Sequence, residues 1–263
     1  MAKFFKSLWG SATRPSAGAA AVPDNTRLYV VGDIHGRSDL LTQMHELIWE
    51  DLQHYPAKFT TEVYVGDYID RGPDSSGVIE VLSASAPLCN QRICLMGNHE
   101  QILLDYIANP ATLTFWMELG GLETLSSYGL RSKPGLSPNN LKELHAGLLE
   151  QLPRTHYRFV RTLPYSYSCG GYFIVHAGVK PGVSLTQQKP DDLLWIRDPF
   201  LSSTRNFGAV VVHGHTPGAE PIVLPNRICI DTGAFLTGTL TCLVLECDER
   251  RFLSTAQRAR KIA

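Results

Sequence analysis

Apolar residues in this chain gather in short blocks that end abruptly at glycine. Leu28 to Val31 runs into Gly32, Val63 to Val65 into Gly66, and Ile93 to Met96 into Gly97. Runs of three or four apolar residues bounded by glycine predict short buried strands. The spacing predicts strands over 27–31, 62–65 and 92–96. Between them the period changes. Leu40, Leu41, Met44, Leu47, Ile48 and Leu52 repeat as one face of a helix over 38–53, with Ser38 as its N-cap, and 75–83 reads as a second helix after Pro73. Strand, helix, strand, helix, strand is a pair of βαβ units, with parallel pairing and right-handed crossovers. Parallel strands bring their carboxyl ends to one edge.

The strand pattern then lapses. From 101 to 152 the apolar positions recur at helical spacing: Ile102, Leu103, Tyr106 and Ile107 first, then 112–128 interrupted at Gly120-Gly121, then Leu141, Leu144, Leu148, Leu149 and Leu152 after Ser137-Pro138. This predicts a helical insertion at about 101–160 beside the sheet edge. Strands return at 172–175 and 209–212, and 227–230 with 239–246 would complete a second sheet. The organisation expected is a flexible N-terminal tail and linker over 1–24, one domain over 25–250, and a polar C-terminal tail over 251–263.

Composition narrows the function classes. The formal net charge is -1 and the pI near 6.7, so a nucleic-acid polymer is not an expected partner and the chain does not read as a polybasic membrane protein. No stretch has the ~20 apolar residues of a membrane span. Met1 to Gly10 is too short and interrupted for a secretory leader, and Ser11 to Pro23 reads as a linker. The six cysteines include no Cys-x-x-Cys pair, which suits reduced thiols in the cytoplasm.

The chemistry collects at the strand ends. Five of them carry Asp33 with His35, Asp67 with Asp70 and Arg71, Asn98 with His99, His176, and His213 with His215. Any one of these alone is an ordinary turn or a satisfied core histidine. Together they make an oxygen and nitrogen donor set without thiolate, which suits Mn, Fe, Zn or Co. One carboxylate reached from both sides, such as Asp67, can bridge two ions ~3.5–4 Å apart.

Gly32-Asp33-Ile34-His35-Gly36, Gly66-Asp67-Tyr68-Ile69-Asp70-Arg71-Gly72, Gly97-Asn98-His99-Glu100, His176-Ala177-Gly178 and Gly214-His215-Thr216 resemble the five motifs of the PPP-type calcineurin-like metallophosphoesterases. That group includes bacterial Ser/Thr protein phosphatases and diadenosine tetraphosphatases. The resemblance implies an α/β fold, a four-layer αββα sandwich, with the helical insertion added. It implies two divalent or trivalent ions, Mn foremost. Asp33, His35 and Asp67 would hold one, and Asp67, Asn98, His176 and His215 the other. His99 would be the general acid, oriented by Asp70, and Arg71 would bind substrate phosphate. A second phosphate-binding arginine is expected between the fourth and fifth motifs, with Arg197 preferred and Arg205 as the alternative. His213 precedes the last glycine and is expected to be structural.

The implied reaction is in-line attack on a phosphate monoester by a hydroxide bridging the two ions. The expected substrate is a phosphoprotein, on Ser or Thr and with Tyr as an extension. A dinucleoside polyphosphate or other small phosphorylated metabolite is the alternative, with Trp116, Tyr128 or Trp195 available to stack a base. A non-catalytic binding module is the third reading, disfavoured because no ligand position is missing. One departure matters: Cys229-Ile230-Asp231-Thr232-Gly233-Ala234 stands where eukaryotic protein phosphatases of the group carry a Ser-Ala-Pro-Asn-Tyr-Cys-type loop.

Overall fold

The computed structural model describes residues 20–131 and 137–256. The readings for Met1 to Gly10 and for 257–263 lie outside the described residues. The chain opens with β1 (Thr26–Val31), α1 (Ser38–His54), β2 (Phe59–Tyr64), α2 (Ser75–Ala84) and β3 (Gln91–Cys94). The three strands pair in parallel, Val30 opposite Val63 and Val63 opposite Ile93. Alternation sends Tyr29, Val31, Tyr64 and Cys94 to one face, under Leu41, Met44 and Ile48 of α1 and Val78 and Ile79 of α2. Leu28, Val30, Val63, Val65 and Leu95 face the other way. Ser38 does not cap α1: it is the first helical residue, and its hydroxyl donates to Asp74 Oδ2 at 2.6 Å. Asp74 in turn caps α2 by accepting from the Gly77 N–H.

The insertion continues with α3 (Asn98–Ala108), α4 (Leu113–Glu118), α5 (Gly121–Ser127), α6 (Pro138–Gln151) and α7 (Arg154–Arg161). Gly120, at φ 95°, makes the break between α4 and α5. These helices extend the layer on the outer face of the first sheet, burying Tyr106, Trp116, Leu144 and Leu148 against it.

The second sheet contains β4 (Ser166–Cys169), β5 (Tyr172–Val175), β6 (Val210–His213), β7 (Ile222–Val223) and β8 (Arg227–Cys229), in the order β4-β5-β6-β8-β7. Tyr172, Ile174, Val212 and Ile228 pack against the first sheet, filling the space between the two. Phe173, Val175 and Val211 face outward and are covered by a thin fourth layer, α8 (Pro190–Trp195) and the loop carrying Phe200.

The last segments correct two expectations. After α9 (Ala234–Thr237), β9 (Thr241–Glu246) does not join the second sheet but runs antiparallel to β1 in the first. Its pattern suits both faces there, with Leu243 and Leu245 between the sheets and Cys242 and Val244 under the helices. The expected tail from 251 begins too early, because β10 (Glu249–Ser254) pairs with β9 as the edge strand. Arg251 makes it look like a tail in sequence but is tied to Asp51 of α1 at 2.5 and 2.6 Å. The expected linker likewise ends earlier than residue 24. Val22 is buried and its N–H donates to the Cys247 carbonyl at 2.8 Å.

Candidate active site

The carboxyl ends of β1, β2 and β3 meet those of β5 and β6, and the backbone there bends sharply. Seven non-glycine residues among those described have positive φ, and five belong to this edge: His35, Asp67, Asp70, Arg71 and His215. Such conformations are costly and persist only where packing over-determines them, as at functional sites. Small residues are needed for the approach. A Cβ on Gly214 would run into Asp33 Oδ1, and one on Gly97 into the Asp67 backbone.

Two groups of donor atoms share Asp67: His35, Asp67 and His99, and Asp67, His176 and His215, all buried. His35 Nδ1 lies 2.8 Å from the Ile69 carbonyl and donates to it. Its Nε2 is therefore bare, 3.4 Å from Asp67 Oδ2, and accepts from Arg71 Nη1 at 3.0 Å. His176 Nδ1 likewise donates to the Val65 carbonyl at 3.1 Å. Its bare Nε2 faces Asp67 Oδ1 at 3.3 Å, Asn98 Oδ1 at 2.8 Å and His215 Nδ1 at 3.2 Å.

Lone pairs thus converge from several sides. Asp33 adds Oδ1, a fully buried oxygen with no hydrogen-bond partner, while its Oδ2 accepts from the His215 N–H at 3.0 Å. An orphaned buried carboxylate oxygen beside a cluster of acceptors is what a cation would satisfy. The donor set fits the metals that the resemblance implies.

Electrostatics point the same way. Burial, with the negative charges of Asp231 and Asp67 nearby, pushes Asp33 well above the usual carboxylate range. Burial also raises Asp67. Burial, aided by the neighbouring cationic groups, holds His35 and His176 well below the usual imidazole value and His215 at about 3, so the rings are neutral. Neutral imidazole is the ligating form, and cations would relieve the crowded carboxylates. His99 is the exception. Burial works against its charge, but Asp67 and the hydrogen bond that the ring donates to Asp70 outweigh it and raise the imidazole.

His99 Nδ1 sits 2.6 Å from Asp70 Oδ2, and its Nε2 lies 3.7 Å from Asp67 Oδ2. Asp70 is held by two groups to which sequence reasoning assigned no such role, Trp116, considered there only for base stacking, and Thr124. Trp116 Nε1 donates to its Oδ2 at 2.8 Å and the Thr124 hydroxyl to its Oδ1 at 2.5 Å. Both come from the insertion. Glu100, fully buried and quoted in the third motif without a role, is a third such residue. Its carboxylate accepts from the N–H groups of Asp67, Tyr68, Ile69 and Gly97, at 2.9, 2.8, 3.3 and 3.1 Å. An acidic residue three places after the glycine N-cap of a helix was the available signal.

Arg71 stacks its guanidinium on Phe235, 4.8 Å from the ring centre. Arg197 lines a cleft of about 530 Å³ that opens beside His215, together with Phe115, Leu119 and Trp195. Among the described residues it forms no ion pair with Asp192 or Asp198. Arg205 is not in that cleft but lies beside Gly182. His213 is fully buried, bonded to the Gly214 carbonyl at 3.0 Å and packed on Phe200, consistent with a structural residue. Of the aromatics considered for stacking, Trp116 and Tyr128 are buried, and Trp195 alone reaches the cleft.

Comparison with known proteins agrees. Serine/threonine-protein phosphatase 1 of Salmonella typhimurium is 31% identical over 219 residues, covering 81% of this chain and 89% of that protein. The asymmetrical bis(5'-nucleosyl)-tetraphosphatase PrpE of Oceanobacillus iheyensis is 26% identical, covering 90% and 95%. Two solved structures share the fold. A candidate diadenosine tetraphosphatase matches at TM-score 0.60 and 21% identity, covering 90% of this chain and 97% of that one. A cold-active protein tyrosine phosphatase matches at TM-score 0.53 and 17% identity, covering 92% and 84%. Residues 26–236 match the model of the calcineurin-like phosphoesterases, and with the donor set assembled on the strand ends within that span, the chain belongs to this family.

Proposed function

We propose that the protein is a metal-dependent phosphatase acting on phosphate monoesters of protein side chains, serine and threonine first and tyrosine as a further candidate. The observation that carries this reading is the His99–Asp70 dyad set against the shared carboxylate Asp67. Asp33, His35 and Asp67 would hold one cation, and Asp67, Asn98, His176 and His215 the other. When bound, two cations, Mn foremost, supply an activated water and draw off phosphate charge.

The chain's own residues then divide the remaining work. Arg71 and Arg197 clamp the phosphate from the His35 and His215 sides, their planar forks matching its oxygens. His99 gives its Nε2 proton to the departing oxygen. Asp70, its Oδ2 accepting from Nδ1–H, stabilises the imidazolium, the form that has a second proton at Nε2 to give. Glu100 keeps the backbone from Asp67 to Ile69 in its strained turn. A cytoplasmic setting accords with the scattered thiols, and no helix among the described residues is long and apolar enough to cross a membrane.

The second reading, hydrolysis of a dinucleoside polyphosphate, draws support from the PrpE relatives. The experiment is a kcat/KM comparison of a phosphoserine peptide, a phosphotyrosine peptide and diadenosine tetraphosphate on the Mn-loaded protein. At least a tenfold preference for a monoester is expected. A preference for the dinucleotide would overturn the phosphoprotein reading. Absence of metal-dependent hydrolysis across the panel would leave only a binding module.

A further inference from the structure

The cleft beside His215 has a composition that the proposed chemistry does not require. Trp195, at the end of α8, and Phe115, on α4, are both exposed, at 38% and 48%, although each is large and apolar. Their ring centres are 6.3 Å apart with planes tilted by 39°, so they form one aromatic wall built from two distant segments. Trp195 also stands edge-on to the His215 ring, centres 6.2 Å apart. The wall therefore begins where the metal-ligand cluster ends. Leu119 and Ile196 extend its apolar surface.

The charge of the cleft is the second observation. Asp191, Asp192 and Asp198 line it, and Arg197 is its one cationic lining residue among those described. Arg197 would be occupied by the scissile phosphate. The rest of the cleft then presents three carboxylates to whatever is attached to that phosphate. A polyphosphate chain would bring further negative charge to this rim, which disfavours it. A neutral ring fits the wall, and basic neighbours fit the rim.

Reach separates two kinds of ring. In an aryl ester the ring is bonded to the bridging oxygen and lies directly beside the phosphate. In a nucleotide the base is held away by a ribose and, in a dinucleoside polyphosphate, by further phosphates. A wall starting against His215 suits the ring that lies nearest.

We propose that this cleft is the leaving-group subsite and that it selects aryl phosphate monoesters, phosphotyrosine in peptides lacking acidic neighbours, over alkyl esters and polyphosphates. This rests on the phosphatase reading above and reverses its order of side chains, placing tyrosine ahead of serine and threonine. In the step itself a water oxygen bonds to phosphorus, releasing one proton to solvent, as the bond to the phenolic oxygen breaks. That oxygen keeps the electron pair and takes a proton from His99, giving tyrosine and inorganic phosphate.

The test measures kcat/KM on the Mn-loaded full chain with phosphotyrosine and phosphoserine peptides of one sequence, flanked by either lysines or glutamates. Because both peptides are hydrolysed at the same site, the ratio between them cancels any general loss of activity. Trp195→Ala and Phe115→Ala should each lower the tyrosine-to-serine ratio by about fivefold, in the range of one aromatic contact. Trp195→Phe should restore most of it. The double variant Asp191→Asn, Asp198→Asn should raise hydrolysis of the glutamate-flanked peptide severalfold against the lysine-flanked one. Phe115, half exposed on its helix, guards against misfolding of the Trp195 variant. A ratio unchanged within twofold in both aromatic variants would overturn the inference while leaving the phosphatase reading standing. Failure of the unmodified protein to hydrolyse either peptide would bring down that reading, and the inference with it.

Discussion

At the level of single residues, Asp67 and His99 lie within one constellation but carry different jobs in the proposed reaction. Asp67 faces His35, His99 and His176 at 3.4, 3.7 and 3.3 Å, so it is common to both donor groups. Asp67→Asn should therefore cost metal and activity together, read by elemental analysis beside a phosphatase assay. His99→Asn should keep the metal content and lower kcat on an alkyl phosphate by ~10²–10⁴-fold, the usual weight of general acid catalysis. On 4-nitrophenyl phosphate, whose leaving group needs little protonation, the loss should be much smaller. Equal losses on the two substrates would remove His99 from the acid's role. The donor positions that the structure gathers were legible because glycine-bounded strand ends marked them. Glu100, Trp116 and Thr124 were not, because their work lies in hydrogen bonds to backbone or to Asp70 across 32, 46 and 54 positions of sequence. No periodicity records a partner at that range.

Among the elements, the insertion reaches into the chemistry and does not merely flank it. α4 contributes the Trp116 N–H and α5 the Thr124 hydroxyl, which hold both oxygens of Asp70. Trp116→Phe keeps an aromatic ring in the buried site but removes the donor. Hydrogen bonds to charged groups contribute ~1.5–3 kcal/mol, so kcat on an alkyl phosphate should fall ~10-fold or more with metal content unchanged. Unchanged kcat would mean that the dyad is positioned without the insertion. The sequence pattern placed these helices well, since Gly120-Gly121 and Ser137-Pro138 mark their ends. It misjudged β9 and β10 for a physical reason. A strand with apolar residues on both faces suits either sheet, and an edge strand bearing Arg250 and Arg251 reads as a solvated tail until Tyr172 and Asp51 are seen to receive those side chains.

For the molecule as a whole, the site holds two sheets together while concentrating negative charge between them, so stability should depend on the cations. Burial, with Asp67 adding to it, pushes Glu100 up to about 8, and burial pushes Asp231 up to about 6. Each holds its proton more tightly folded than unfolded. Their share of stability is present in acid and is lost as pH rises, through about 6 for Asp231 and about 8 for Glu100. The lowered histidines act in the opposite sense, losing their share only as pH falls below their ordinary value of 6.5. Above that value the carboxylates decide. Metal-free protein should therefore melt at a lower temperature near pH 8 than near pH 6.5, and Mn should restore more at the higher pH; a Tm indifferent to both would contradict this. The most direct test of the central claim is a titration of metal-free protein with Mn, following bound ions per chain and phosphate-ester hydrolysis in the same samples. Two ions per chain, with hydrolysis appearing only as both bind, is the expected result; a single ion, or full hydrolysis in the presence of a chelator, would contradict it.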